Sequence, residues 1–230
     1  MRVMGLIGGT SWEATQVYYR LINEEVKQRL GGYHSARMVI VSVDFAPLEE
    51  AMRHDRWDEV GAHLSDAGRQ LQAGGAGFLM LTANTMHECF DAVADAVDIP
   101  LLHIADPTAD AIEHAAVQKV GLLGTRYTME REFLRQRLED RGLEVIVPEE
   151  PDRTTIHDII FGELVLGKIR DESRTEFVAV MDRLVARGAA GIILGCTEFG
   201  LLISQADASV PLFDTTELHA RAAVDLALAE

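Results

Sequence analysis

Val3-Met4-Gly5-Leu6-Ile7-Gly8-Gly9-Thr10-Ser11 returns in outline as Lys119-Val120-Gly121-Leu122-Leu123-Gly124-Thr125-Arg126, an offset of 116 residues counted from Gly5 to Gly121. Each block is a short apolar run that ends in glycine and hydroxyl residues. That is the pattern of a buried strand entering a tight turn ahead of a helix. Two more pairs follow in the same order. Phe78–Thr85 matches Ile192–Glu198, with Ala83 opposite Cys196 at an offset of 113, and Pro100–His103 matches Pro211–Asp214 at an offset of 111. Three ordered blocks at nearly constant spacing imply two similar α/β lobes.

The rest of the chain fits the same plan. Strands are expected at Val3–Ile7, Met38–Val43, Gly77–Leu81, Pro100–Leu102, Lys119–Leu123, Leu143–Val147, Gly191–Leu194 and Pro211–Phe213. Helices are expected at Trp12–Leu30, Trp57–Ala73, Met129–Arg141 and Ser173–Arg187. In the second of these, Val60, Leu64, Ala67 and Leu71 recur at helical spacing. Strands that are apolar throughout and alternate with helices predict mainly parallel sheets flanked by helices on both faces. The expected lobes are 1–98 plus 212–230, and 99–211, with the weakest stretches at Glu149–Arg153 and Gln205–Ser209. Parallel sheets carry their functional loops at the carboxyl ends of their strands. Two facing lobes would then gather the loops at 8–11, 83–86, 124–128 and 196–199 around one cleft.

Composition narrows the function. The 230 residues are 48% hydrophobic and 25% charged, enough to bury a sizeable core and keep a charged surface. Lysine and arginine number 21 against 37 acidic residues, a net charge of −16. No basic cluster exists to displace counterions from a nucleic acid, and anionic membranes would repel such a surface. No apolar stretch is long enough to span a bilayer. The opening run breaks at Gly8-Gly9 without a small-residue cleavage site, so no secretory signal is expected. The two cysteines, Cys89 and Cys196, cannot form a disulfide framework, which suits a reducing cytoplasm.

Three turns carry the candidate chemistry. Gly8-Gly9-Thr10-Ser11 offers backbone N–H groups and two hydroxyls before a helix, a corner suited to a carboxylate or simply to capping. It lacks both the dinucleotide fingerprint and the P-loop lysine. Ala83-Asn84-Thr85-Met86-His87 presents polar groups at a strand end, with His87 either a base or a residue of the helix face. Leu194-Gly195-Cys196-Thr197-Glu198 is the mirrored turn. A thiol ahead of a helix N-terminus can be activated, and Glu198 is close enough in sequence to modulate it. Cys89 falls within a helix and is expected to be packed. The eight histidines have no metal-ligand spacing, and no G-x-S-x-G elbow is present, so neither a metal site nor a serine hydrolase is expected.

Taken together, Gly5–Glu13, Tyr18–Asn23, His34-Ser35-Ala36, Ser42–Phe45, Ala83–His87, His103–Asp106, Gly121–Met129 and Gly195–Gly200 resemble the aspartate/glutamate racemase family, in its cofactor-independent branch. The resemblance covers essentially the whole chain. It implies two pseudo-symmetric α/β lobes with the active site between them, no cofactor, and a homodimer. It also implies proton transfer at Cα by two opposed cysteines, which by position would be residues 83 and 196. Cys196 matches. Ala83 stands at the other position and has no exchangeable proton, so Asn84, Thr82, His87 or water would have to serve that face. The same resemblance assigns the substrate carboxylates to Thr10, Ser11, Asn84, Thr85, Thr125 and Thr197, with Glu198 beside them and Lys168 as a cationic contact. The family arginine for acidic side chains is absent from Ala46–Glu50. The expected partner is an amino-acid or other small carboxylic-acid substrate. The single cysteine leaves two alternatives: a decarboxylase of malonate-type acids, or a catalytically impaired ligand-binding homologue.

Overall fold

The computed structural model describes residues 1–229. Two compact units emerge: Met1–Ile104 together with the chain from His219 onward, and Ala105–Leu218. The first holds strands β1 (Met4–Gly8), β2 (Met38–Ser42), β3 (Phe78–Leu81) and β4 (Leu101–Leu102). The second holds β5 (Lys119–Gly124), β6 (Glu144–Ile146), β7 (Ile192–Gly195) and β8 (Leu212–Asp214). Each set forms a parallel four-stranded sheet, in the orders β2-β1-β3-β4 and β6-β5-β7-β8. Adding four to every strand number turns one order into the other, so the repeat in sequence is also a repeat in topology.

The central strands are fully buried, as their unbroken apolar runs require. In the first unit Met4, Leu6, Phe78 and Met80 pack with Tyr18, Ile22 and Val26 of the helix Trp12–Leu30. That helix begins where Ser11 Oγ accepts from the Ala14 N–H at 3.1 Å and ends at Gly31, whose φ of 72° a side chain would resist. The buried positions Ala14, Tyr18, Ile22 and Val26 are four apart and so make one stripe. The helix Trp57–Ala73 buries Val60, Leu64, Ala67 and Leu71 in the same way. In the second unit Leu123, Ile192 and Leu194 pack against Phe177, Val180 and Leu184 of the helix Asp171–Ala186.

Two expectations need correction. The lobe boundaries expected at 98/99 and 211/212 cut through sheet connectivity: β4 pairs with β3, and β8 pairs with β7. Both breaks therefore fall later, after Ile104 and after Leu218. The single helix expected at Met129–Arg141 is two, Arg126–Glu130 and Glu132–Glu139, because Arg131 is extended with ψ 159°. Thr125 starts the first of them earlier than expected by accepting from the Thr128 N–H at 3.2 Å. No helix among the described residues is long and apolar enough to cross a membrane.

A buried polar cluster runs through the first unit. His219 Nε2 lies 3.2 Å from the Leu102 carbonyl, which can only accept, so this nitrogen carries the proton. Nδ1 then accepts from the Tyr18 hydroxyl at 3.0 Å. The ring is neutral, and burial with His87 nearby pushes its pKa down to about 3. A depressed histidine contributes stability that is complete above the unfolded value of about 6.5 and declines as pH falls toward the folded one. Urea unfolding of the wild type and of His219→Gln tests this. The wild type should be the more stable at about pH 7, and its advantage should shrink by roughly 2–3 kcal/mol on going to about pH 4.5. A difference that does not change with pH would mean that the ring is not buried neutral.

Candidate active site

In an open parallel sheet, ligands bind beyond the carboxyl ends of two adjacent strands whose connections leave in opposite directions. The strand orders put that switch point between β1 and β3 in the first unit and between β5 and β7 in the second. The loops there are 9–11 and 82–84, and residue 125 and 196–198. Every expected site residue except Lys168 and His87 lies in one of these four loops or, as Thr85 does, opens the helical turn that follows.

In the first unit Gly9 has a φ of 85°, and a Cβ there would sit 2.2 Å from the Val43 carbonyl oxygen, so only glycine allows the turn. Its N–H donates to Thr15 Oγ1 at 2.9 Å. Ser11 is occupied as the helix cap and also donates to Glu13 at 3.2 Å. Thr10 differs from it. Its hydroxyl is buried and has no hydrogen-bond partner among the described residues. An unsatisfied buried hydroxyl costs on the order of 1–3 kcal/mol, which a ligand oxygen would recover.

The adjacent turn follows β3. Thr82 is wholly buried and donates to the Ile7 carbonyl at 3.0 Å. His87 is equally committed. Nε2 accepts from the Ile104 N–H at 3.2 Å, so Nδ1 carries the proton and donates to the carbonyls of Ala83 at 3.0 Å and Asn84 at 3.2 Å. Of the two sequence readings, His87 is a structural residue that pins the turn, and neither it nor Thr82 is free to take a proton. Asn84 and Thr85 are buried at the start of the short helical turn Thr85–Cys89. Cys89 is packed, with its thiol 3.6 Å from the Trp57 carbonyl.

In the second unit Gly124 pairs with Gly195 across the mouth of the sheet, and a Cβ on Gly195 would lie 2.7 Å from the Leu123 carbonyl oxygen. This close approach brings the Thr125 and Cys196 turns side by side. Thr125 caps the following helix. The Arg126 N–H in the same turn donates to His157 Nδ1 at 3.2 Å, and burial, then Arg126, lowers the His157 pKa. Cys196 is buried directly beyond β7, and its thiol donates to Glu198 Oε2 at 3.2 Å. Burial first, and then the Glu198 carboxylate, push the thiol well above its ordinary range. Thr197, between them, is also buried.

Lys168 stands apart. It is exposed in the segment after Gly167, its N–H bonds to the Glu163 carbonyl at 2.9 Å, and it has no ion pair among the described residues. Sequence reading did not single out Asp214, which ends β8 and accepts from the N–H groups of Thr216 at 2.8 Å and Glu217 at 3.2 Å. Its position in the third repeated block, opposite His103, was the available signal. Among the described residues no group of three or more His, Cys, Asp or Glu side chains is arranged to hold a metal ion.

Comparison with known proteins gives a consistent family. The profile of the Asp/Glu/hydantoin racemases matches residues 7–223. The chain is 25% identical over 175 residues to the broad-specificity amino-acid racemase of Bacillus subtilis (strain 168), across 75% of this chain and 74% of that one. A solved candidate Asp/Glu racemase from Yersinia pestis is 49% identical over 100% of both chains, with a TM-score of 0.93. An aspartate racemase homologue from Pyrococcus horikoshii OT3 is 35% identical over 100% of both, with a TM-score of 0.87.

The unpartnered hydroxyl gives a direct test. Thr10→Val should leave the melting temperature unchanged or raise it, by the equivalent of up to about 1 kcal/mol, because an isosteric apolar group removes an unmet polar one. A clear loss of stability in a thermal scan would mean that Thr10 has a structural partner.

Proposed function

The chain belongs to the Asp/Glu/hydantoin racemase family, and from that premise we propose that it moves the Cα proton of an amino acid, with Cys196 as the proton carrier on one face. The observation that carries this reading is the buried thiol of Cys196 held against Glu198 at the carboxyl end of β7. A thiol raised by burial and a neighbouring carboxylate is protonated at neutral pH, so in the resting protein it is a donor. After delivery the thiolate is left beside a carboxylate and is strongly basic, which suits the reverse step of taking a weakly acidic Cα proton. Thr10, Ser11, Asn84, Thr85, Thr125 and Thr197 are assigned to the substrate carboxylate, with the Thr10 hydroxyl the best motivated of them. Lys168 is assigned to a second carboxylate where the substrate has one. The reaction is read as cofactor-independent, the substrate as an amino acid of the aspartate/glutamate type, and the working form as a homodimer.

The opposite face is the unusual one. Ala83 supplies no acid or base, and Thr82 and His87 are held in hydrogen bonds. Asn84 and water remain of the candidates for that face. This favours, as a second reading, a lyase in which Cys196 alone protonates the carbanion left by a malonate-type acid.

Incubation in D₂O with the L and D forms of aspartate, glutamate and a neutral amino-acid panel separates these readings. Racemisation requires exchange of the Cα hydrogen with inversion, read by NMR and chiral chromatography. Cys196→Ser should lower the rate by roughly 10²- to 10⁴-fold, the range expected for loss of an acid–base group. Ala83→Cys, which supplies the missing thiol, should raise it by at least about tenfold. Carbon dioxide release from substituted malonates without amino-acid exchange would replace the racemase reading with the lyase. Thermal stabilisation by amino acids with neither reaction would identify a binding protein.

A further inference from the structure

Asp214 is set into the same loop cluster as Cys196 by three independent contacts. It pairs with Leu194 in the β7–β8 register, two residues before the cysteine. Its neighbour Thr215 donates from Oγ1 to the Leu194 carbonyl at 3.0 Å. Its own Oδ2 faces Gly200 so closely that a Cβ there would be 3.3 Å away, and Gly200 lies in the short helix Phe199–Leu202 that leaves the cysteine turn. Oδ1, meanwhile, caps the C-terminal helix through Thr216 and Glu217. Asp214 is half-buried and forms no ion pair among the described residues.

We propose that Asp214 is a positioning residue which, together with Glu198, keeps the proton on Cys196 while capping the C-terminal helix. Its value for catalysis rests on the racemase reading above; its control of the thiol does not. The groups acting on Cys196 are Glu198, at 3.2 Å, and Asp214, and both carry negative charge when ionised. Glu217 adds to the field at Asp214. Burial raises Asp214 to about 6, against the opposing effect of its helix N–H bonds, so near neutral pH it is mostly ionised and opposes thiolate formation.

Asparagine at this position separates the two roles, because it keeps the capping oxygen and removes the charge. The rate of alkylation of Cys196 by iodoacetamide, followed on its own peptide by mass spectrometry, reports the thiolate fraction at each pH. In Asp214→Asn the reaction at about pH 8 should be roughly three- to tenfold faster, with the profile displaced to lower pH and the melting temperature held. Asp214→Glu should retain the slow wild-type rate. Asp214→Ala should be as fast as Asp214→Asn but melt at a lower temperature, because the cap is lost. An unchanged rate in Asp214→Asn overturns the proposal, as does acceleration confined to Asp214→Ala, which would mark a loosened loop and not a lost charge. Acceleration in Asp214→Asn, in a protein that exchanges no Cα hydrogen, would uphold this inference and reject the racemase reading.

Discussion

Parallel strands that lie side by side while their chains depart in opposite directions leave an opening that no crossover covers. β1 beside β3, and β5 beside β7, are two such pairs, and the turns they create hold Thr10, Ser11, Asn84, Thr125 and Cys196. The pairs hold because their residues are buried on both faces, so their backbone groups must find partners in the sheet. Glycine at the mouths then lets adjacent turns approach. A side chain on Gly195 would meet the Leu123 carbonyl, and one on Gly9 would meet Val43. Packing of the apolar strands thus fixes where chemistry can occur before any reactive residue is chosen.

The two units use that common frame differently. After β3, the turn is held by a neutral imidazole, His87, that binds two of its carbonyls and reaches back to the Ile104 N–H. After β7, the equivalent turn is governed by carboxylates, with Glu198 on the thiol and Asp214 at the foot of the C-terminal helix. One half is a rigid, uncharged hydrogen-bonded turn and the other an anionic setting around a thiol. Repetition of a fold supplies positions; the residues that fill them decide the chemistry.

Residues with short-range causes were legible in the sequence. Trp12–Leu30 and Trp57–Ala73 start and stop where their apolar stripes and the glycines at 31 and 74 say they should. The eight strands followed from apolar runs, and the placing of the candidate turns at strand ends from the order of the repeats. Features with long-range causes were not legible. The unit boundaries depend on which strand β4 and β8 join, a choice made by pairing across distant sequence. The break at Arg131 lies inside a stretch whose pattern reads as one helix. His87 was ambiguous, and His219 carried no signal, because a histidine's role depends on its partners, here Ile104, Leu102 and Tyr18, up to 201 residues away in the chain.

The same reasoning explains why net charge says little about the site. A surface excess of carboxylates is screened by salt over about 8–10 Å, whereas Glu198 acts on Cys196 across 3.2 Å in a buried turn. Screening is weak there, so a carboxylate as close as Glu198 acts on the thiol far more strongly than a distant one among the 37 acidic residues. Burial and the Glu198 and Asp214 carboxylates act in one direction: they make Cys196 a reluctant acid and its thiolate a strong base. An ordinary acid–base residue is balanced near neutral pH, but a Cα proton is removed from a very weak acid. On the proposed reading, the more the surroundings oppose the thiolate, the better it takes that proton back, and the alanine at position 83 leaves this one thiol to do so from a single face.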